Sequence, residues 1–299
     1  MISRKFIIRA AGIIILALSL WYVGQSLYRV RGQMCEINAK LILVVFILSL
    51  AYFVGNVIRA VNWKTILTVL SGKNFRLHTF IGIYLRTEIV KYVPSNIMHF
   101  AGRHLLCREN GVSHKVALAS NIADMLFILT AAAVVAVPSL YTATAFPVYT
   151  VVSGVLTHAL PAALAAAICV IIFLAILWIK RHLIGRYLNK KNILRILSVL
   201  VLDMAVVILN GLLFYAALVM FSSAGYAAVP VYTVVALYAL CWMAGFVVPG
   251  SPGGLGVREA LIVLVFSGVY PDAAVIAILM RIVSVAGDAF ALCAGLKIR

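Results

Sequence analysis

Acidic side chains are scarce. Eight Asp and Glu stand against 25 Lys and Arg in 299 residues, and charged residues of both signs make up only 11% of the chain. A soluble domain is about a quarter charged and about half apolar. Here 65% of residues are hydrophobic and mean hydropathy is +1.13. A water-soluble fold of this length leaves such an excess exposed in large patches, which excludes an ordinary soluble enzyme. Cysteine is sparse too: Cys35, Cys107, Cys169, Cys241 and Cys293 are scattered without a CxxC pair. Neither a disulfide framework nor a metal site follows from that spacing. Cys169, Cys241 and Cys293 fall in apolar stretches and read as small packing residues. The net charge of +17 comes without zinc-finger spacing or an aromatic–basic repeat, so nucleic acid is not an expected partner. No cofactor motif is present either, since GxGxxG and GK[ST] are both missing.

What is there is apolar sequence in long blocks, at 6–23, 41–61, 80–93, 116–137, 149–179, 196–221, 232–248 and 273–296. These approach the length of about 20 residues that a helix needs to cross a bilayer. Within lipid every backbone polar group must find an internal partner, so helices and closed barrels are the only choices. The blocks are apolar at both parities and rich in Leu, Ala and Ile, which excludes barrel strands. The reading is an all-α polytopic membrane protein, one integral membrane domain over 1–299, with about 8 to 10 membrane segments. The first block follows Arg4, Lys5 and Arg9 and lacks a small-x-small cleavage site, so it reads as a retained helix.

Orientation follows from the basic loops. The dense patch at 180–195 is expected in the cytoplasm, and the uncharged connections 139–148 and 222–230 outside. Both termini then lie in the cytoplasm, at the inner membrane. Arg29 and Arg31 run against this scheme in the first loop. Trp21, Trp63, Trp178 and Tyr187 stand at block ends, as in an interfacial aromatic belt.

Two segments echo one another. EIVKYVPSNIMHFAGRHLL and GFVVPGSPGGLGVREALIV each carry Val-Pro and a small residue, with an arginine nine residues after the proline: Pro94 to Arg103 and Pro249 to Arg258. A GVS or GVY turn follows at Gly111 or Gly268, and Asp124 and Arg281 each lie thirteen residues further on. The topology sends the units 77–138 and 232–296 through the membrane in opposite senses. Two broken or re-entrant helices in an inverted repeat are therefore expected, with a substrate site where they meet.

Charges within apolar blocks are costly, roughly 2.5 to 3.5 kcal/mol at the helix centre. Arg86, Glu88, Lys91, Asp124, Asp203, Arg258, Glu259, Arg281 and Asp288 therefore need a reason. Glu88 and Lys91 share a helix face, either as an internal ion pair or as a helix end reaching the interface. Prolines 249 and 252 with glycines 250, 253, 254 and 256 favour a non-helical turn. Free N–H groups at the helix start after it, with Arg258, would grip an anion. Gly253 and Gly254 would allow close approach, and Glu259 would orient or neutralise arginine; the alternative is an interfacial loop with a charged cap. Arg281 would pair with Asp124 or Asp203, and a proton relay is another use for such acids. His99, His104 and His114 surround Arg103 without acids or cysteines at ligand spacing, and read as interfacial histidines rather than metal ligands.

VPGSPGGLGVREALI, with KYVPSNIMHFAGR upstream and Asn62, Trp63 and Lys64, resembles the transmembrane-region family of lysylphosphatidylglycerol synthases, which is flippase-like. The resemblance spans nearly the whole chain, and its signature is P-G-G-x-G-x-R-E at 252–259. It implies binding and translocation of an anionic lipid, a phospholipid or a polyprenyl phosphate, across the inner membrane. Arg258, Glu259, Lys91 and Pro94 match its motifs. The family's large synthases carry a soluble catalytic domain after the membrane part, and the sequence to Arg299 shows none, so aminoacyl transfer is not expected and a transporter is favoured over an enzyme. Two other readings stand beside it: a noncatalytic subunit that docks a glycan or lipid biosynthesis protein on its basic loops, and a membrane-embedded lipid-linked transferase with Glu88, Asp124 or Glu259 as base.

Overall fold

The computed structural model describes residues 39–92, 98–142, 189–221, 229–247, 252–254 and 256–298. Among them there are eight α-helices and no strand. In chain order they are α1 (Ala39–Ser71), α2 (Leu77–Glu88), α3 (Met98–Glu109), α4 (His114–Thr142), α5 (Lys190–Phe221), α6 (Val231–Val247), α7 (Val257–Phe266) and α8 (Ala273–Lys297). Short 3-10 turns, Ile89–Tyr92 and Pro252–Gly254, follow α2 and precede α7. The blocks expected at 6–23 and 149–179, most of the basic patch at 180–195, and Pro94 and Pro249 lie outside the described residues.

Four helices, α1, α4, α5 and α8, are long and apolar enough to cross a bilayer, and α6 is a shorter apolar helix. Their hydrophobic sequence, without an internal proline in α1, α5 or α8, lets the backbone satisfy itself in lipid. α1 has 33 residues, about 50 Å at 1.5 Å per residue, so it tilts or projects beyond a hydrocarbon core of about 30 Å. It ends where Gly72 takes a left-handed φ of 67° and its N–H reaches back to Thr68 O at 3.1 Å. The helix thus runs ten residues past the expected end of its apolar block at 61, and carries Arg59 and Lys64 inside it.

α8 is the central element. Its apolar window is 61% buried, against 28 to 39% for the other three long helices. It packs on α1, α2, α5 and α7. α1 and α5 instead present Ile42, Leu43, Phe46 and Ile47, and Leu194, Leu197 and Val201, outwards, as a lipid-facing surface does. One apolar core joins Phe214, Tyr238, Phe266, Ile276 and Val283, and a second joins Leu67, Phe80, Tyr84 and Trp63. Trp63 is fully buried and donates to Asn121 Oδ1 at 3.2 Å, so it is a core residue and not part of an interfacial belt.

The chain from 77 to 142 and the chain from 231 to 297 show the same order of elements: helix, 3-10 turn, short helix, long helix. The short helices α3 and α7 have 12 and 10 residues, about 18 and 15 Å, so neither crosses a bilayer alone. The two 3-10 turns touch one another. The turns after the short helices differ, however. Gly111 is left-handed with φ 77°, and its N–H and that of Val112 reach back to Arg108 and Cys107, closing α3. Gly268 is absent from the left-handed glycines, and α7 is closed by Val269 and Tyr270 N–H groups donating to Phe266 O.

Candidate functional site

α1 carries Ser49, Asn56, Arg59 and Asn62 at helical spacing, all but Arg59 buried, and α8 carries buried Arg281, Ser284 and Asp288. Two polar stripes inside apolar helices must face each other or a cavity, because lipid offers them no partner. Asn56, Arg59, Arg281 and Ser284 of these stripes face an open cleft of about 990 Å³, counted with the solvent at its mouth, which is walled by α1, the end of α2, both 3-10 turns and parts of α3 to α8. Glu88, Lys91, Arg103, Gly253, Gly254, Arg258 and Arg281 line it, while Asp124 and Glu259 are not part of its lining.

On one side the charges are hydrogen-bonded to each other. Arg103 of α3 donates from Nη2 to Glu88, from Nη1 to Asp124 Oδ2 at 3.2 Å and from Nε to Thr87 Oγ1 at 3.2 Å. Its guanidinium lies 3.6 Å from the centre of the Tyr84 ring. Gly102 gives α3 this close seat, since a Cβ there would stand 3.2 Å from Thr87. Arg59 adds a second donor to Asp124 at 3.1 Å. Lys91, on the 3-10 turn, bridges Glu88 at 3.0 Å and Asp288 at 3.0 Å. Asp288 also accepts from Tyr92 Oη at 2.6 Å and Asn56 Nδ2 at 2.9 Å. Three cations thus meet three acids, which is the condition for holding charge in a low dielectric.

On the other side, Arg258 and Arg281 both approach the carboxylate of Glu259, at 3.6 and 3.8 Å. Arg281 donates to Gly253 O at 2.8 Å and lies over the Tyr92 ring at 4.8 Å. Arg258 is 6% exposed, yet its guanidinium makes no hydrogen bond among the described residues beyond that long ion pair. Gly253, with φ 57°, admits this packing: a Cβ there would come within 3.0 Å of the Tyr92 ring and 3.1 Å of Arg281 Nη2. Gly245 on α6 does the same for Arg258, whose Cβ would stand 2.9 Å from an added methyl.

Several expectations need correction. Arg281 reaches neither Asp124 nor Asp203. Asp124 is taken by Arg59 and Arg103, and Asp203 accepts from Asn62 at 2.8 Å. The start of α7 is not a bare anion site, because Gly256 N–H donates to Glu259 Oε2 at 2.8 Å. Glu259 is therefore both the charged cap and the partner of the two arginines. Glu88 and Lys91 form an internal ion pair, not a helix end reaching the interface. His99 is 6% exposed and lines the cleft, while His104 and His114 meet at 2.7 Å on the exposed side. Arg86 stays outside the network, donating to Gly82 O at 2.9 Å. Cys107 and Cys241 are buried, and Cys293 faces outwards. Arg59 was not among the expected site residues, although it lies within the apolar block 41–61. An arginine three residues before Asn62 in an uninterrupted apolar run was the available signal. Among the described residues no group of three or more His, Cys, Asp or Glu side chains is placed to hold a metal ion.

The model of one protein family, the lysylphosphatidylglycerol synthase TM region, matches residues 9–290 of the chain. No curated protein matches it.

Proposed function

This chain belongs to the lysylphosphatidylglycerol synthase TM-region family, and we propose that it binds an anionic membrane lipid by its phosphate in the cleft and carries the headgroup across the bilayer. As an integral membrane protein of a lipid-related family it has the setting for this. The observation that carries the reading is Arg258. A buried guanidinium costs several kcal/mol unless its donors are paired, and the donors of Arg258 are almost unspent inside the cleft wall. A phosphate fits that vacancy in charge and in geometry, since arginine presents two parallel N–H groups to it. Arg281, held by Gly253 O, supplies a second positive charge at the same place.

The opposite wall supports movement. Glu88, Lys91 and Arg103 give the cleft a polar lining, so a headgroup there exchanges water for protein dipoles and not for hydrocarbon. The contact between the two 3-10 turns beside this lining supports a rocking of one unit against the other that exposes it to either leaflet. The lipid is a phospholipid or a polyprenyl phosphate, both of which offer the phosphate. The protein works in the inner membrane with both termini in the cytoplasm.

The test is reconstitution into vesicles with a fluorescent anionic phospholipid, reading the fraction of label that an external reductant reaches. Wild-type protein is expected to expose nearly all of it, and Arg258→Ala to leave the inner-leaflet half protected as in empty vesicles. Equal rates for wild type and Arg258→Ala would contradict the assignment.

A further inference from the structure

Four acids are buried among the described residues, and Asp203 differs from the other three. Glu88, Asp124 and Asp288 each have a cation within 3.2 Å. Asp203, on α5, is 0% exposed and has no ion pair among the described residues. Its Oδ1 accepts one neutral hydrogen bond, from Asn62 at 2.8 Å, and its Oδ2 is buried without a partner. The Asn62 amide is shared further, with Val199 O at 3.3 Å. One amide bond does not compensate a carboxylate ion in an apolar helix contact. A neutral carboxylic acid fits the place.

A cation capable of changing that stands close by. Arg59 lies three residues before Asn62 on α1, about one turn away. It now donates from Nη2 to Asp124, and its buried Nε has no partner. Of the helices packed on α5, α1 brings Arg59 to bear on the Asp203 carboxyl and α4 brings Asp124; α6 carries no charge, and Arg281 and Asp288 of α8 bond to Gly253 and to Lys91, Tyr92 and Asn56. Asp124 does not depend on Arg59 alone, because Arg103 Nη1 also reaches it at 3.2 Å. Arg59 is therefore free to change partner without stranding an acid, and it lines the cleft.

We propose that Asp203 is a proton-binding site: it holds a proton while Arg59 pairs with Asp124, and releases it when Arg59 turns to Asp203. In the release the O–H bond of the acid breaks, its electron pair stays on the carboxylate, the proton passes to solvent water, and the new anion pairs with the guanidinium. An anion in the cleft competes for the same guanidinium, so its passage is coupled to the proton. That coupling rests on the lipid-translocation reading; the proton site does not.

Infrared difference spectroscopy across a pH titration of the purified protein tests the site directly. Wild type is expected to show a carboxylic-acid C=O band at neutral pH that shifts on ¹³C labelling of aspartate and is missing in Asp203→Asn. In Asp124→Asn, where Arg59 loses its partner, the band is expected to weaken at neutral pH. A wild-type spectrum without an aspartic-acid band at neutral pH, or a band that survives Asp203→Asn, overturns the proposal. So does a band left unchanged by Asp124→Asn. In vesicles, lipid movement by wild type is expected to change severalfold with an imposed pH gradient and that of Asp203→Asn to ignore it. Wild-type movement indifferent to the gradient overturns the coupling. No movement in either protein overturns the lipid reading, and the infrared result still decides the proton site.

Discussion

Arg103 and Arg258 are both buried arginines, and they differ in how their donors are used. Those of Arg103 go to Glu88, Asp124 and Thr87. Its removal leaves two buried acids short of a partner, and breaking such a pair costs about 3 to 5 kcal/mol. Arg103→Leu is expected to lower the unfolding temperature in detergent sharply, as circular dichroism would record. Arg258 has little to lose within the protein, so Arg258→Ala is expected to melt close to wild type and yet lose lipid. A variant that melts as low as Arg103→Leu would make Arg258 a structural residue. Asp288 takes bonds from Lys91, Tyr92 and Asn56. Asp288→Asn keeps the shape but takes the second acid from Lys91, and a smaller fall in melting temperature than for Arg103→Leu is expected. Replacing Lys91 by Met together with Asp288→Asn should recover part of that fall, because coupled charges are not additive.

Among the elements, the two 3-10 turns matter most, because they meet where the helices break. Gly253 is left-handed and sits between the Tyr92 ring and Arg281. Gly253→Ala adds about 1 kcal/mol of backbone strain and pushes on both neighbours. It is expected to lower both stability and lipid binding, whereas Gly72→Ala, strained equally but in open space, should affect stability alone. Measuring melting temperature and retained lipid for both separates the two effects. The glycines that permit these contacts were visible in the sequence as PGSPGG, and so was the arginine that follows them. The hydrogen bonds were not. Nothing in the spacing of Arg281 and Asp124 revealed that Arg59, from a helix distant in sequence, takes the acid first. Trp63 and His99 were misplaced for a related reason: a residue near the end of an apolar block looks interfacial, but α1 continues to Ser71 and buries Trp63, while α3 turns His99 into the cleft. The repeated GVS and GVY turns look alike in letters and differ in backbone, since only Gly111 is left-handed.

At the scale of the whole molecule, hydropathy alone carries the helical membrane fold, because lipid forces long apolar runs into helices. Its topology rests on the positive-inside rule. Single cysteines in a cysteine-free background are expected to react with an impermeant maleimide from outside at 222–230 and only after permeabilisation at 190–191. The reverse pattern would invert the scheme and with it the opposed sense of the two units. The cleft itself unites distant parts of the chain, from Tyr52 to Ser284. The nearly unspent donors of Arg258 are the basis for placing a lipid phosphate at the glycine run. The most direct measurement is native mass spectrometry of the gently purified protein, comparing lipids held by wild type and by Arg258→Ala. The account predicts that wild type retains an anionic lipid enriched over the bulk membrane and that the variant, folded as judged by its melting temperature, releases it. The same bulk mixture on both proteins would contradict a phosphate site at Arg258.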